Sequence, residues 1–111
     1  MPKAIKNLVG TRILGIQWIY DYWQIITDTC GINVYNPVKY YMSTNQYHEL
    51  SEIKIGDIIG HTITEEENKK SCYMRFKLDT GATIEISLAD KDYNGPEAVN
   101  INFDSGEIYV D

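Results

Sequence analysis

Alanine and leucine, the readiest helix formers, are scarce in this chain of 111 residues, whereas tyrosine occurs nine times and isoleucine and threonine recur throughout. That balance disfavours helices and favours strands. Long apolar runs are missing as well. No stretch suits a membrane-spanning helix, and MPKAIKNLVG lacks the apolar segment of a secretory signal. Cysteine is limited to Cys30 and Cys72, too few and too far apart for a disulfide framework. These absences lead to the expectation of a reduced, cytoplasmic protein.

Several signatures of chemistry are also absent. There is no phosphate-binding glycine loop and no serine in a nucleophile-elbow context. His48, His61, Cys30 and Cys72 are the soft metal ligands, and none sits at a close pair spacing, so neither zinc nor any cofactor is expected. A Cys72–His61 nucleophile pair stays open on sequence grounds. Cys72, however, falls on an alternating apolar stripe, where a cysteine is expected to be inert packing.

What is present suits one domain spanning residues 1–111. Hydrophobic residues make up 43 % of the chain and aromatics 12 %, enough for a single packed core. The formal charge of −6 is uneven. Residues 1–55 carry five basic and four acidic side chains, and residues 56–111 carry five basic and twelve acidic ones. A net +1 thus stands against a net −7. The acidic half disfavours nucleic acid and anionic membranes and favours a basic partner, although solubility alone also explains an acidic face.

The two halves share a pattern. VGTRI followed by YWQIITDTCGINVYN aligns with IGHTI followed by YMRFKLDTGATIEIS. Gly10 matches Gly60, Ile13 matches Ile63, Tyr22 matches Tyr73, and Asp28-Thr29 matches Asp79-Thr80, with Gly31 and Gly81 just after. Duplication and coincidence of short strand-rich patterns both account for this. Each unit reads as a three-stranded meander. Cys72, Met74, Phe76 and Leu78, then Ala82, Ile84, Ile86 and Leu88, alternate with polar residues at the strand period. In the first unit Leu14, Ile16, Trp18 and Tyr20 form one strand face, followed by strands at 22–27 and 32–35. Ser43 to Gln46 has the form of a capping box, and Tyr47, Leu50 and Ile53 suggest one short helix. Near the end, 99–103 alternates again, and IYV with Tyr109 closes the chain. The expected fold is mainly β (α+β with one short helix): two pseudo-repeated antiparallel meanders packed as a sandwich or a partly open barrel.

Four stretches could carry function. Asp79-Thr80-Gly81-Ala82 resembles the aspartic-protease signature, but it lies late in the chain. The nearest apolar-apolar-Gly segment, Ile58-Ile59-Gly60, precedes it. Between two alternating strands it reads as a hairpin corner, with Gly81 at positive φ; catalysis would need Asp28 and Asp79 to converge. Asp90, Asp92 and Asn94, with Gly95, open like a calcium loop, but Ile101 stands where the bidentate Glu belongs. A polar turn is expected there, with weak calcium binding the alternative. Glu65, Glu66 and Glu67 before Lys69-Lys70 read as a charged loop tip, either simply solvated or binding. Tyr20, Tyr22 and Trp23, beside Asp21, are either core or a partner-binding patch.

Taken in order, LVGTRILGI, YWQIITD, GINVYNP, IIGHTI, FKLDTGATIEISL and YNGPEA span most of the chain. This arrangement resembles small β-rich immunity proteins of bacterial polymorphic-toxin and contact-dependent inhibition systems. The resemblance implies a protein without catalytic activity that binds a cognate toxin domain, often a basic nuclease, and blocks it. Contact residues are not shared across that group, so none carries over. From charge and loops alone, the expected toxin contacts are Glu65, Glu66 and Glu67, then Asp90, Asp92 and Glu97, then Tyr20, Tyr22 and Trp23. A non-catalytic ligand-binding or scaffold module, homodimeric through the IYV edge, is the alternative.

Overall fold

The computed structural model describes residues 8–41, 47–49 and 55–111. Its strands follow the alternating segments: β1 (Ile13–Ile19), β2 (Tyr22–Thr27), β3 (Cys30–Val34), β4 (Val38–Tyr41), β5 (Tyr47–Glu49), β6 (Ile63–Lys69), β7 (Tyr73–Leu78), β8 (Thr83–Ser87), β9 (Val99–Phe103) and β10 (Ile108–Val110). They form two five-stranded antiparallel sheets, ordered β1-β2-β3-β9-β10 and β5-β4-β8-β7-β6. The architecture is a β-rich sandwich with no closed barrel.

The strand orders show that the repeat is real at the level of backbone and that its halves are interlocked. Each unit contributes a meander, β1-β2-β3 or β6-β7-β8. Its next strand then crosses over and completes the other unit's sheet: β4 pairs with β8, and β9 pairs with β3. Neither sheet is built from one repeat alone.

A pseudo-two-fold crossing ties the units together at Arg12 and Thr62, which form an antiparallel bridge. The hydrogen bonds around it come in matched pairs. Gly10 N donates to Ile63 O and Gly60 N to Ile13 O, both at 2.7 Å. Ile13 N reaches His61 O at 2.9 Å, and Ile63 N reaches Thr11 O at 2.8 Å. Gly10 and Gly60 hold φ of 93° and 88°, a region costly for any side chain. The aligned glycines are therefore a backbone requirement of the crossing.

Inward side chains line up in rows across the sheets. Ile16, Ile25, Ile32, Ile101 and Tyr109 are cross-strand partners in one sheet, and all are buried. Phe76, Ile84 and Tyr40 do the same in the other. Both rows belong to one hydrophobic cluster, as period-two burial against a facing sheet requires.

Four expectations change. A bulge between Ile13 and Gly15 shifts the alternation of β1. Ile13 and Ile16 are therefore buried, while Leu14, Trp18 and Tyr20 are 54 %, 56 % and 93 % exposed. Tyr47, placed in a helix by its spacing, starts β5, because β4 offers an edge to pair with; Ser43 to Gln46, Leu50 and Ile53 lie outside the described residues. Glu65, Glu66 and Glu67 belong to β6 rather than to a loop tip, since Lys77, Phe76 and Arg75 pair with them. Cys72 is exposed in the turn before β7. Among the described residues, no helix is long and apolar enough to cross a membrane.

Candidate functional site

Asp79 is a hairpin corner. Gly81 N donates to Leu78 O at 2.9 Å, Leu78 N to Ala82 O at 2.8 Å, and Gly81 holds φ of 90°. The Asp79 carboxylate caps the crossing, accepting from Thr62 N at 3.3 Å and lying 2.9 Å from His61 Nδ1. Asp28 does the equivalent job, accepting from Arg12 N at 3.1 Å. The Arg12 and Thr62 strands stand between the two carboxylates, so they do not form a proton-sharing dyad.

The acidic stretch is largely neutralised within its own face. Glu65 lies 3.4 Å from Lys77, and Arg75 lies 2.7 Å from Glu85 and 3.8 Å from Glu67. Arg75 also sits 3.8 Å over the Tyr73 ring. A partner approaching here meets an alternating ladder of charges rather than a negative field. Asp90 and Asp92 form a 3-10 turn in which Ser87 Oγ donates to Asp92 Oδ2 at 2.5 Å. Among the described residues, no group of three acidic, histidine or cysteine side chains is placed to hold a metal. Cys30 is buried, and desolvation pushes its thiol up against the pull of hydrogen bonds from Thr27 and Thr29.

The aromatic stretch makes a site. Trp18 and Trp23 are cross-strand partners at the open end of β1 and β2, with ring centroids 5.2 Å apart in an edge-on arrangement. Tyr22 meets Tyr35 at 5.1 Å. The tip residue Tyr20 holds φ of 51°, a left-handed conformation that costs a tyrosine about 1–2 kcal/mol. Ser71, the aligned residue in the β6–β7 link, holds φ of 64° as well, so the conformation belongs to these short hairpin turns, and it leaves the Tyr20 ring 93 % exposed.

Beside these rings lie two adjoining clefts of about 490 and 260 Å³, which share Asp21, Tyr35 and Asn94. One wall comes from the β1–β2 hairpin and another from the short β3–β4 link. The third comes from Asn94, Gly95, Pro96 and Glu97. Here the repeats differ. Three residues, 35–37, join β3 to β4, whereas eleven, 88–98, join β8 to β9. The longer link folds back because Tyr35 N and Asn36 N both donate to Ala98 O, at 2.8 and 3.3 Å. Asn36 is 3 % exposed and donates Nδ2 to Ser87 O at 2.9 Å. Its Oδ1 has no hydrogen-bond partner among the described residues. The Tyr35 hydroxyl is pushed above its ordinary range by burial first, then by Glu97, Tyr22 and Asp21.

Of the expected contact residues, Tyr22 and Trp23 line the smaller cleft and Glu97 the adjoining larger one, with Tyr20 on the β1–β2 hairpin. Glu65, Glu66 and Glu67 lie on β6, and Asp90 and Asp92 occupy their own turn. Sequence reasoning missed Tyr35 and Asn36, and it read Asn94 as part of a calcium-like turn rather than as a wall of a cleft. The unequal spacing between aligned strands was the one signal that could have revealed them. Tyr109, read as an edge residue, faces inward and donates to Asp111 Oδ2 at 2.6 Å, leaving Ile108 and Val110 exposed. No family model, curated protein or solved structure matches this chain.

Proposed function

We propose that this chain is a non-catalytic binding protein whose partner is a protein domain docking on the Trp18–Trp23 end, and that it acts as an immunity protein. The observation that carries the reading is Tyr20. Its ring is fully presented at the hairpin tip, next to a half-exposed tryptophan. The aligned position in the other repeat is Ser71, so the presented ring is particular to this end of the molecule, and tyrosine and tryptophan are the side chains that anchor protein interfaces. The order of the strand segments, with its resemblance to immunity proteins, supports a toxin domain as the partner. Because the Glu65 and Glu67 side chains already face cations, the binding role moves from β6 to the aromatic end.

Growth rescue tests this. The product encoded immediately upstream is induced in bacteria with and without this chain. Rescue by wild type, lost in a Trp18→Ala, Tyr20→Ala variant that still folds, is the expected result. An upstream product that is harmless, or toxicity unaffected by this chain, would remove the immunity reading.

A further inference from the structure

The geometry points to a specific ligand chemistry for the cleft: it holds the guanidinium of an arginine presented by the partner, stacked on the rings and paired with Asp21 and Glu97. This deepens the reading of the aromatic end as a protein-binding surface and rests on it.

The argument starts from what lines the space. Tyr35 lines both clefts and Trp18, Tyr22 and Trp23 line the smaller one, while Asp21 from the hairpin and Glu97 from the long link bring carboxylates to the larger. None of the residues lining the two clefts is basic, so an anionic group finds no counter-charge there. A cation finds two. The Tyr35 hydroxyl shares this environment, pushed above its ordinary range by burial first and then by Glu97, Tyr22 and Asp21.

Shape then separates the two cationic side chains. A guanidinium is planar, weakly hydrated and forked, so it can lie against an aromatic face while directing N–H groups to carboxylates in its own plane. An ammonium offers a point charge with no stacking face. The Asn36 Oδ1 beneath the floor favours the same occupant. It is an acceptor without a donor, a standing cost that an incoming N–H, or a water carried in with it, relieves.

The asymmetry of the fold supports a dedicated site. Glu97 and Asn94 reach the cleft only through the long β8–β9 link, and the β3–β4 link of the other repeat is too short to build an equivalent wall. The carboxylate pairing is therefore a feature of one end of the molecule.

The test uses the full chain and small probes, so its outcome is independent of the growth assay. N-acetyl-arginine amide is titrated while the indole N–H resonances of Trp18 and Trp23 are followed by NMR. The citrulline and lysine analogues and a neutral oligosaccharide serve as comparisons. Saturable shifts are expected with the arginine probe, weaker ones with lysine and none with citrulline. Asp21→Asn and Glu97→Gln should each weaken binding by about fivefold, the scale of one partly exposed charge contact, and added salt should do likewise. Trp18→Ala, an exposed change that leaves the core intact, should remove the response of Trp23. Citrulline binding as well as arginine, carboxylate variants binding unchanged, or a response to the oligosaccharide alone would each overturn the assignment. So would the absence of any shift with arginine. Failure here with growth rescue intact would leave the immunity reading standing on other contacts, whereas arginine binding without rescue would sink that reading alone.

Discussion

The two sheets share a backbone plan and present opposite chemistry to solvent. Across the outer face of the β6-containing sheet, Glu67, Arg75, Glu85 and Lys39 are cross-strand partners, with Glu65 beside Lys77. The matching row of the other sheet is Gln17, Gln24, Asn33 and Asn100. There Gln17 donates to Gln24 at 2.7 Å, and Gln24 to Asn33 at 3.1 Å. No charge enters that row. The edge strands differ in the same sense. Inward positions Ile13, Ile16 and Trp18 of β1 correspond to Ile63, Glu66 and Asn68 of β6, so β6 carries the polar groups that discourage stray pairing. Asn68 is held by the Tyr109 hydroxyl at 2.7 Å and Asp111 at 3.1 Å, while Trp18 opens onto the cleft. The lesson is that backbone symmetry fixes where strands lie, while side-chain asymmetry decides which end carries exposed aromatic rings beside a cleft.

Separating the repeats should break the molecule outright. Expressed as residues 1–54 and 55–111, each fragment lacks the strand pair that completes its sheet, so neither should show a cooperative thermal transition, and mixing them should restore one. A sharp transition in 55–111 alone, as a monomer, would mean the crossover strands are dispensable.

The equivalence of the cores can be sharpened with Ile32→Ala and Ile84→Ala. Both side chains are fully buried at the centres of their sheets. Each truncation should cost about 2–5 kcal/mol in urea unfolding, and the two should agree within about 1 kcal/mol. A much larger loss on one side would show that one sheet dominates stability.

Alkaline pH should expose an asymmetry. Tyr109 in β10 is raised far above its ordinary range by burial and by donating to Asp111, and Tyr40 is raised by burial, then by Asp57. A phenol whose folded pKa lies above its unfolded value of about 10 favours folding fully below that pH and progressively less above it. The urea midpoint should therefore fall between pH 9 and 11, and Tyr109→Phe should flatten the fall. A midpoint constant over that window would refute this account.

The smallest effects concern the two turns. Gly81→Val should cost about 1–2 kcal/mol, because φ is 90° and no atom lies within 4 Å of where the Cβ would sit. Gly31 follows the same Asp-Thr pair one residue later and sits within β3 without positive φ. Gly31→Val should be neutral or mildly stabilising, and Asp79→Asn should lose about 1 kcal/mol or less. Equal costs at the two glycines would undo the distinction between the turns.

Period-two alternation was legible wherever a strand was regular: Met74 to Leu78 and Ala82 to Leu88 read directly as inward faces. It failed at β1, where a bulge puts both Ile13 and Ile16 inward and turns Leu14 out. It also failed at Glu65 to Glu67, since a run of like charges in a strand looks like a loop until its cross-strand cations are known. The aromatic half of the cleft was readable as a cluster in sequence; its other walls were not.

By itself the sequence determined the regular strands, their doubled order and the Asp79 corner, though not β5 or the acidic part of β6, because alternation, turn residues and positive-φ glycines act over a few neighbouring positions. Tertiary structure alone decided that β4 and β9 change sheets, that Lys77 and Arg75 neutralise β6, and that Glu97 lines the same cleft as Asp21. Those outcomes rest on pairings between residues far apart in the chain. Strand edges, unlike side-chain periodicity, leave no local mark on the sequence to say which edge they will meet.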